Sequence, residues 1–181
     1  MIERISGALR RNETPRQALD LNDVVRDTLS LTASELAIRA IAVTTQLTPG
    51  LPAVLGDRVE LQQALLNLIL NACDAMSGLP AGERGLTVRT ELAPDSGVQA
   101  SVSDKGPGIA PDYAERIFEP FFTSKEQGLG LGLAICRSII RAHQGQIWAD
   151  SNAGAGATFT FRIPAPSSQD ALSTLRAIIH P

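Results

Sequence analysis

The sequence contains only two cysteines and two histidines among 181 residues, which leaves little material for a metal centre built from side chains. No Cys/His spacing in it is typical of a zinc site. Cys73 and Cys136 each lie in a predicted helix beside apolar neighbours. We therefore expect both to be buried, reduced thiols.

Long apolar runs and excess positive charge are also missing. No stretch approaches the ~20 apolar residues of a membrane-spanning helix, and MIERISGALRR at the start lacks the apolar segment of a signal peptide. The net charge is −3, so nothing favours nucleic acid or an anionic membrane. We expect no nucleic-acid partner, no membrane contact by this segment and a cytoplasmic location, whether or not a longer protein that contains it is membrane-anchored.

The composition, with 44% hydrophobic and 19% charged residues, is that of a globular domain. Periodicity and end signals predict helices over about 21–38, 58–76, 113–122 and 131–145, and strands over 40–47, 86–92, 98–103, 146–150 and 157–163. Strands joined by short turns pair antiparallel. The predicted fold class is therefore α/β: a two-layer sandwich with a mixed, mostly antiparallel sheet and helices on one face.

The helix predicted over 58–76, with Asp57 as its N-cap, is apolar around most of its circumference but carries one narrow polar stripe. The stripe consists of Glu60, Gln63, Asn67, Asn71 and Asp74. Asparagine has poor helix propensity, so two of them on one face need a reason. They either satisfy nearby backbone groups or supply oxygen ligands to a hard cation such as Mg²⁺ beside a phosphate. The stripe alone leaves both interpretations open.

A first glycine-rich segment, SDKGPGIAP, places Asp104 at the end of a predicted strand, followed by Gly106 and Gly108. Proline and glycine in this pattern are typical of a simple turn. The same glycines would also let a ligand approach the backbone while Asp104 accepts a hydrogen bond from it. Both interpretations remain open at this point.

A second glycine-rich segment, GLGLGLAICRSII, carries Gly128, Gly130 and Gly132 into a predicted helix. It is either a flexible hinge or an anion site made of backbone N–H groups at a helix N-terminus. Neither the dinucleotide fingerprint G-x-G-x-x-G nor a P-loop occurs in the sequence. The polar stripe, the acidic acceptor and the phosphate cradle together indicate a nucleotide site of a non-Walker type.

Four blocks, in order, resemble the motifs of the ATP-binding catalytic domain of sensor histidine kinases, within the gyrase/Hsp90/histidine kinase/MutL superfamily. ELQQALLNLILNACDAM resembles the N box, SDKGPGIAP the first glycine box, IFEPFFTSK the F box and GLGLGLAI the second glycine box. Each block alone is a weak signal, but four in order are specific. The resemblance covers roughly Leu21 to Ile163 and implies a Bergerat-type fold with ATP and Mg²⁺ as cofactors.

The resemblance also implies roles for individual residues. Asn71 would ligate the Mg²⁺ that bridges the ATP phosphates, and Asn67 would lie near those phosphates. Asp104 would accept a hydrogen bond from the adenine amino group. Gly106 and Gly108 would shape the adenine pocket.

Further positions follow from the second glycine box and the F box. Gly128, Gly130 and Gly132 would lie at the phosphates, at the end of the loop that forms a lid. Phe121 and Phe122 match the F-box aromatics, which pack the base of that lid. Their expected role is structural.

The sequence departs from the family at several positions. Asp74 stands where many members have lysine, and Thr123 where many have arginine. The nearest cation is Lys125, which we predict to neutralise γ-phosphate charge. The lid, 123–127, is short and would make few contacts. At Asn67 the ATP-hydrolysing branches have a glutamate that acts as general base, and an amide cannot take that proton, which favours phosphoryl transfer to a side chain.

The family's phosphoacceptor histidine lies in a separate dimerisation domain, and neither His143 nor His180 fits it. The resemblance therefore implies part of a longer kinase, a homodimer through its histidine-bearing dimerisation domain, with a response regulator as an indirect partner. The expected organisation is the end of a dimerisation helix at 1–13, a linker at 14–20, the catalytic domain at 21–165 and a tail at 166–181. The alternatives are an anti-sigma-type serine kinase of the same fold and a non-catalytic nucleotide-binding module.

Overall fold

The computed structural model describes residues 16–94, 96–114, 116–123, 129–151 and 156–165. Its helices are α1 (Leu21–Ile38), α2 (Arg58–Ala75) and α3 (Gly132–Ala142). Its strands are β1 (Gln17–Leu19), β2 (Ala42–Leu47), β3 (Val54–Gly56), β4 (Gly85–Leu92), β5 (Val98–Asp104), β6 (Gln146–Ser151) and β7 (Ala157–Ile163). Within these ranges, none of the helices combines the length and the apolar character of a membrane span.

The main sheet has five strands in the order β2-β4-β5-β7-β6. β2 runs parallel to β4, and every other neighbouring pair is antiparallel. The predicted α/β class with a mixed, mostly antiparallel sheet is confirmed. Strand β1 falls in the segment predicted as a linker, where it pairs antiparallel with β3 to form a second, two-stranded sheet.

The core lies between α2 and one face of the main sheet. Alternate residues of β4, β5 and β7 point to the face that α2 covers, and they are buried there. The buried sheet residues include Leu86, Val88, Val98, Ala100, Val102, Phe159, Phe161 and Ile163. They meet the buried face of α2, which includes Leu61, Leu65, Leu68, Ile69 and Ala72. Burial of each large side chain stabilises the fold by roughly 1.5–3 kcal/mol, which holds α2 firmly against the sheet.

Both long helices begin at an aspartate cap. The Asp20 side chain accepts a hydrogen bond from the backbone N–H of Asn22, at 2.8 Å. Asp57 accepts from the N–H groups of Val59 and Glu60, at 2.8 and 3.2 Å. The predicted cap of α2 is thus confirmed, and the helix ends at Ala75, one residue before the predicted end.

The two cysteines are free and buried, as predicted. Burial raises the pKa of the Cys136 thiol to about 12 and also raises the pKa of Cys73. Neither thiol is therefore ionised near neutral pH, and both act as core side chains.

The helix predicted over 113–122 is wrong. Pro111–Tyr113 form a single 3-10 turn, and the described residues from 114 to 122 follow as successive turns. Pro120 has no N–H and disfavours helical geometry in the residue before it. The backbone N–H of Phe121 donates instead to Gly130 O, at 3.0 Å. A long-range contact therefore replaces the helical one.

Candidate nucleotide-binding site

A cavity of about 560 Å³ lies between α2, the start of α3 and the ends of β5 and β7. The predicted site residues that line it are Asn71, Asp104, Gly108, Gly130 and Gly132. Asn67 and Gly106 lie behind this lining and contact it. The predicted Lys125 and Gly128 lie outside the described residues.

Asp104 occupies the end of β5 and is only 6% exposed. Its Oδ1 accepts hydrogen bonds from the backbone N–H groups of Gly106, at 2.7 Å, and Ala157, at 3.3 Å. Burial raises the pKa of Asp104, and the two backbone hydrogen bonds oppose that rise. A buried carboxylate anchored through one oxygen at a cavity wall is suited to accept a hydrogen bond from a ligand.

Two glycines allow the backbone to pack tightly around Asp104. A Cβ on Gly106 would lie 2.9 Å from Asp104 Oδ1 and 3.0 Å from Ala75 O. A Cβ on Gly156, whose φ is +97°, would lie 1.8 Å from Asp104 O. Gly106 was predicted to belong to the site, whereas Gly156 was not, because the segment before β7 resembles an ordinary turn.

The polar stripe on α2 divides into parts with different surroundings. Glu60 and Gln63 are exposed and lie outside the cavity lining. Asn67 donates through Nδ2 to Gly132 O at 3.3 Å and so joins α2 to the first residue of α3. Asn71, one turn further on, lines the cavity. Asn67 therefore contacts the backbone at the start of α3, and Asn71 is one of the residues that line the cavity.

Asp74, the last member of the stripe, lines the cavity and pairs with a cation from another helix. Its Oδ1 lies 2.6 Å from Nη1 of Arg39, the residue after α1, and Nε of Arg39 bonds Glu35. These bonds to Asp74 and Glu35 raise the pKa of the Arg39 guanidinium. Arg39 was not predicted, because nothing in its local sequence indicates a partner on α2.

The other end of the cavity is formed by the turn that enters α3. Leu131, Gly132 and Leu133 line the cavity there, and no described side chain caps the first N–H groups of the helix. Such N–H groups, together with the helix dipole, attract anions. The geometry fits the predicted phosphate cradle.

The F-box segment packs against this turn through its backbone. Gly130 has a φ of +66°, and a Cβ there would lie 2.6 Å from the carbonyl carbon of Phe121. Phe122 makes an edge contact with Tyr113, with ring centroids 5.3 Å apart, and lies under the Arg116 guanidinium. Phe121 is 76% exposed and has a φ of 65°, and most of the lid that both aromatics were expected to pack against lies outside the described residues.

The side chains at the phosphate end of the cavity can be compared with the ligands that the expected Mg²⁺ would need. Among the described residues, no group of three or more His, Cys, Asp and Glu side chains could hold a metal ion. The carboxamide of Asn71 is a single neutral oxygen ligand. It fits Mg²⁺, which takes few protein ligands and keeps water and substrate phosphate oxygens in its octahedral shell.

Comparisons with known proteins identify the family. Residues 56–167 match the model of histidine kinase-, DNA gyrase B- and HSP90-like ATPases. The sensor protein FixL of Bradyrhizobium diazoefficiens is 38% identical over 165 residues, which are 91% of this chain and 32% of FixL. The sensor histidine kinase ZraS of Escherichia coli K12 is 39% identical over 148 residues, 82% of this chain and 31% of ZraS. The chain thus spans about a third of the length of these relatives.

Comparison with solved structures also points to histidine kinases. The nucleotide-free catalytic domain of histidine kinase ThkA superposes with a TM-score of 0.73 at 33% identity, covering 83% of this chain and 95% of that domain. Full-length ShkA in complex with AMPPNP gives a TM-score of 0.73 at 30% identity, covering 84% of this chain and 32% of ShkA. The chain therefore belongs to the histidine kinase-, DNA gyrase B- and HSP90-like ATPase family and has the fold of a sensor histidine kinase catalytic domain.

Proposed function

We propose that this chain is the ATP-binding kinase module of a two-component sensor kinase, which positions Mg-ATP for γ-phosphoryl transfer to a histidine on a separate dimerisation domain. The observation that carries this proposal is the cavity itself. It has a buried carboxylate at one end and, at the other, a helix N-terminus that no side chain of the described residues caps. A nucleotide has matching chemistry, with a hydrogen-bond-donating base at one end and anionic phosphates at the other.

At the base end, Asp104 accepts a hydrogen bond from the exocyclic amine of adenine. Guanine has a carbonyl at the equivalent position and would face the carboxylate with a second acceptor. The bonds from Gly106 and Ala157 hold Oδ1, so the orientation of the carboxylate is fixed before the base arrives. The site therefore favours ATP over GTP.

At the phosphate end, the N–H groups that begin α3 bind phosphate oxygens, and the oxygen of Asn71 contributes one metal ligand. Asn71 would hold Mg²⁺ together with the nucleotide, and the ion would supply positive charge that neutralises part of the phosphate charge. Gly130 and Gly132 let the backbone approach closely, and Gly128 has the same proposed role. Lys125 is the proposed cation that neutralises charge on the γ-phosphate.

The character of Asn67 supports transfer to a side chain over hydrolysis. Its Nδ2 is engaged with Gly132 O, and a carboxamide cannot accept a proton from water at neutral pH. Phosphoryl transfer then depends on positioning and charge neutralisation, which this site supplies. The burial of His143 inside the fold supports an acceptor on the separate dimerisation domain.

This chain matches about a third of FixL and ZraS, so a longer kinase of that size would have room for a dimerisation domain. Residues 1–13 would end a dimerisation helix of the same kinase, and 14–20 would link it to the catalytic domain at 21–165 through a segment whose strand β1 pairs with β3. Residues 166–181 would be a tail. The response regulator would receive the phosphoryl group from the histidine of the dimerisation domain. The structure of ThkA in complex with the response regulator TrrA, 31% identical and with a TM-score of 0.70, supports a partner of that class. The proposed location is the cytoplasm, where ATP is supplied.

Incubation with γ-labelled ATP tests this function. The chain alone should bind ATP by calorimetric titration but acquire no acid-labile phosphate, because the proposed acceptor lies on a separate domain and His143, the histidine within the described residues, is buried. Addition of the cognate dimerisation domain should give labelled phosphohistidine on that domain. Label on His143 or His180, or phosphoserine on a partner protein, would contradict the proposal.

A further inference from the structure

Helix α2 forms one wall of the cavity, and two contacts mark the cavity's ends along it. A Cβ on Gly132, at the start of α3, would lie 3.9 Å from Asn71 Nδ2, which places the phosphate end at Asn71. A Cβ on Gly106, beside Asp104, would lie 3.0 Å from Ala75 O, which places the base end at Ala75. The helix rises about 6 Å along its axis between these two positions. The wall between them faces the middle of the ligand.

Asp74 lies on that intervening stretch of α2 and lines the cavity. Of the described residues in the lining, only Asp74 and Asp104 carry a carboxylate. The Asp74 side chain is 40% exposed, so it is open to solvent and to a ligand. Its charge would repel phosphates if it were unpaired, but Arg39 Nη1 at 2.6 Å offsets it.

The middle of a nucleotide is its sugar, which presents hydroxyl donors. A carboxylate only accepts hydrogen bonds but can accept several, so an ion pair with Arg39 is compatible with another bond from a hydroxyl. Resting on the proposed binding of ATP, we infer that Asp74 is a specificity-determining residue that accepts a hydrogen bond from a ribose hydroxyl. Arg39, fixed by Glu35, holds the carboxylate in position.

Deoxynucleotides test this assignment, because each lacks one donor. Affinities for ATP, 2′-deoxy-ATP and 3′-deoxy-ATP would be measured by calorimetric titration on the parent chain, Asp74→Ala and Asp74→Asn. In the parent, at least one deoxynucleotide should bind roughly tenfold more weakly than ATP, the effect of losing one hydrogen bond to a charged group. In Asp74→Ala the ratio of the affinity for ATP to the affinity for that deoxynucleotide should fall to about one, because the acceptor is gone. Asp74→Asn, which keeps an acceptor oxygen, should give an intermediate ratio.

Asp27→Ala is the matched control, because Asp27 also pairs with an arginine, Arg58, and is similarly exposed but lies outside the cavity lining. Its ATP to deoxynucleotide ratio should equal that of the parent. Thermal unfolding of every variant shows whether the fold is kept. Equal ratios in the parent and Asp74→Ala, with ATP bound by both, would overturn this inference alone. Failure of the parent to bind ATP would overturn the proposed function and this inference with it.

Discussion

The imidazole Nε2 of His143 accepts a hydrogen bond from the backbone N–H of Asp57, at 3.0 Å, so the residue after α3 is bonded to the residue before α2. The other ring nitrogen, Nδ1, lies 2.8 Å from Ile139 O and carries the proton that this contact needs. His143 is 2% exposed. A histidine thus joins the two helices that flank the nucleotide cavity, and its burial supports the expectation that it is not the phosphoacceptor.

Replacement of His143 by alanine should destabilise the domain. The N–H of Asp57 would lose this acceptor in a partly buried place, and an unsatisfied buried group costs about 1–3 kcal/mol. The free energy of unfolding, measured in urea, would show the loss. Arg141→Ala is the control, because Arg141 is an exposed residue in the last turn of α3 and its replacement should change stability by no more than about 0.5 kcal/mol. Equal stability of the two variants would contradict the proposed bridge.

Asn71→Ala should leave the fold intact but remove most of the Mg²⁺-dependent part of ATP affinity. One carboxamide is a weak ligand, so its contribution appears only when the phosphates hold the ion as well. Titration with ATP in the presence and absence of Mg²⁺ separates the two parts. Gln63→Ala, an exposed change on the same stripe of α2, should bind like the parent. A normal response of Asn71→Ala to Mg²⁺ would remove the metal assignment.

Asp104→Asn should weaken ATP binding and narrow the preference for ATP over GTP. A hydrogen bond to a charged group is worth about 1.5–3 kcal/mol, roughly ten- to hundredfold in affinity. An amide can present its N–H₂ to the guanine carbonyl, so the rejection of GTP should fall as well. Competition of ATP and of GTP against a fluorescent ATP analogue measures the ratio of their affinities. If this ratio is the same in the parent and in Asp104→Asn, the base is bound elsewhere.

The same substitution should make the nucleotide-free domain more stable at neutral pH. Burial raises the pKa of Asp104, so the folded state binds its proton more tightly than the unfolded chain does. The ionised carboxylate therefore costs stability once the pH rises through the folded pKa. The amide oxygen of the variant would still accept the bonds from Gly106 and Ala157, but without that cost.

Urea unfolding across pH checks this effect. The extra stability of Asp104→Asn should be present at about pH 7 and should disappear below the ordinary carboxyl pKa of about 3.9, where both side chains are neutral. A difference that did not change with pH would show that packing, and not charge, distinguishes the two side chains.

Features that depend on neighbouring residues could be predicted from the sequence. The Asp57 cap, the apolar face of α2 and the alternation of β4, β5 and β7 are local patterns, and they were enough to give the fold class. The glycine segments and Asn71 were also found locally, since their chemistry lies in short motifs. All five predicted residues that line the cavity lie in these short motifs.

The features that sequence reasoning missed depend on contacts between distant segments. Arg39 pairs with Asp74 across two helices, and His143 reaches Asp57 across the core. The bond from Phe121 N–H to Gly130 O replaced a predicted helix. Periodicity contains no information on which distant groups meet, so these pairings required the three-dimensional structure.

The strand order of the main sheet also has a consequence for folding kinetics. β4–β5 and β6–β7 are pairs of consecutive strands that close short loops, so we expect them to form early in folding. β2 pairs in parallel with β4 across β3 and α2, which is a slow crossover closure. Since β2 is also an edge strand, exposed along most of its length, its amide protons should exchange with solvent faster than those of the inner strands β4, β5 and β7.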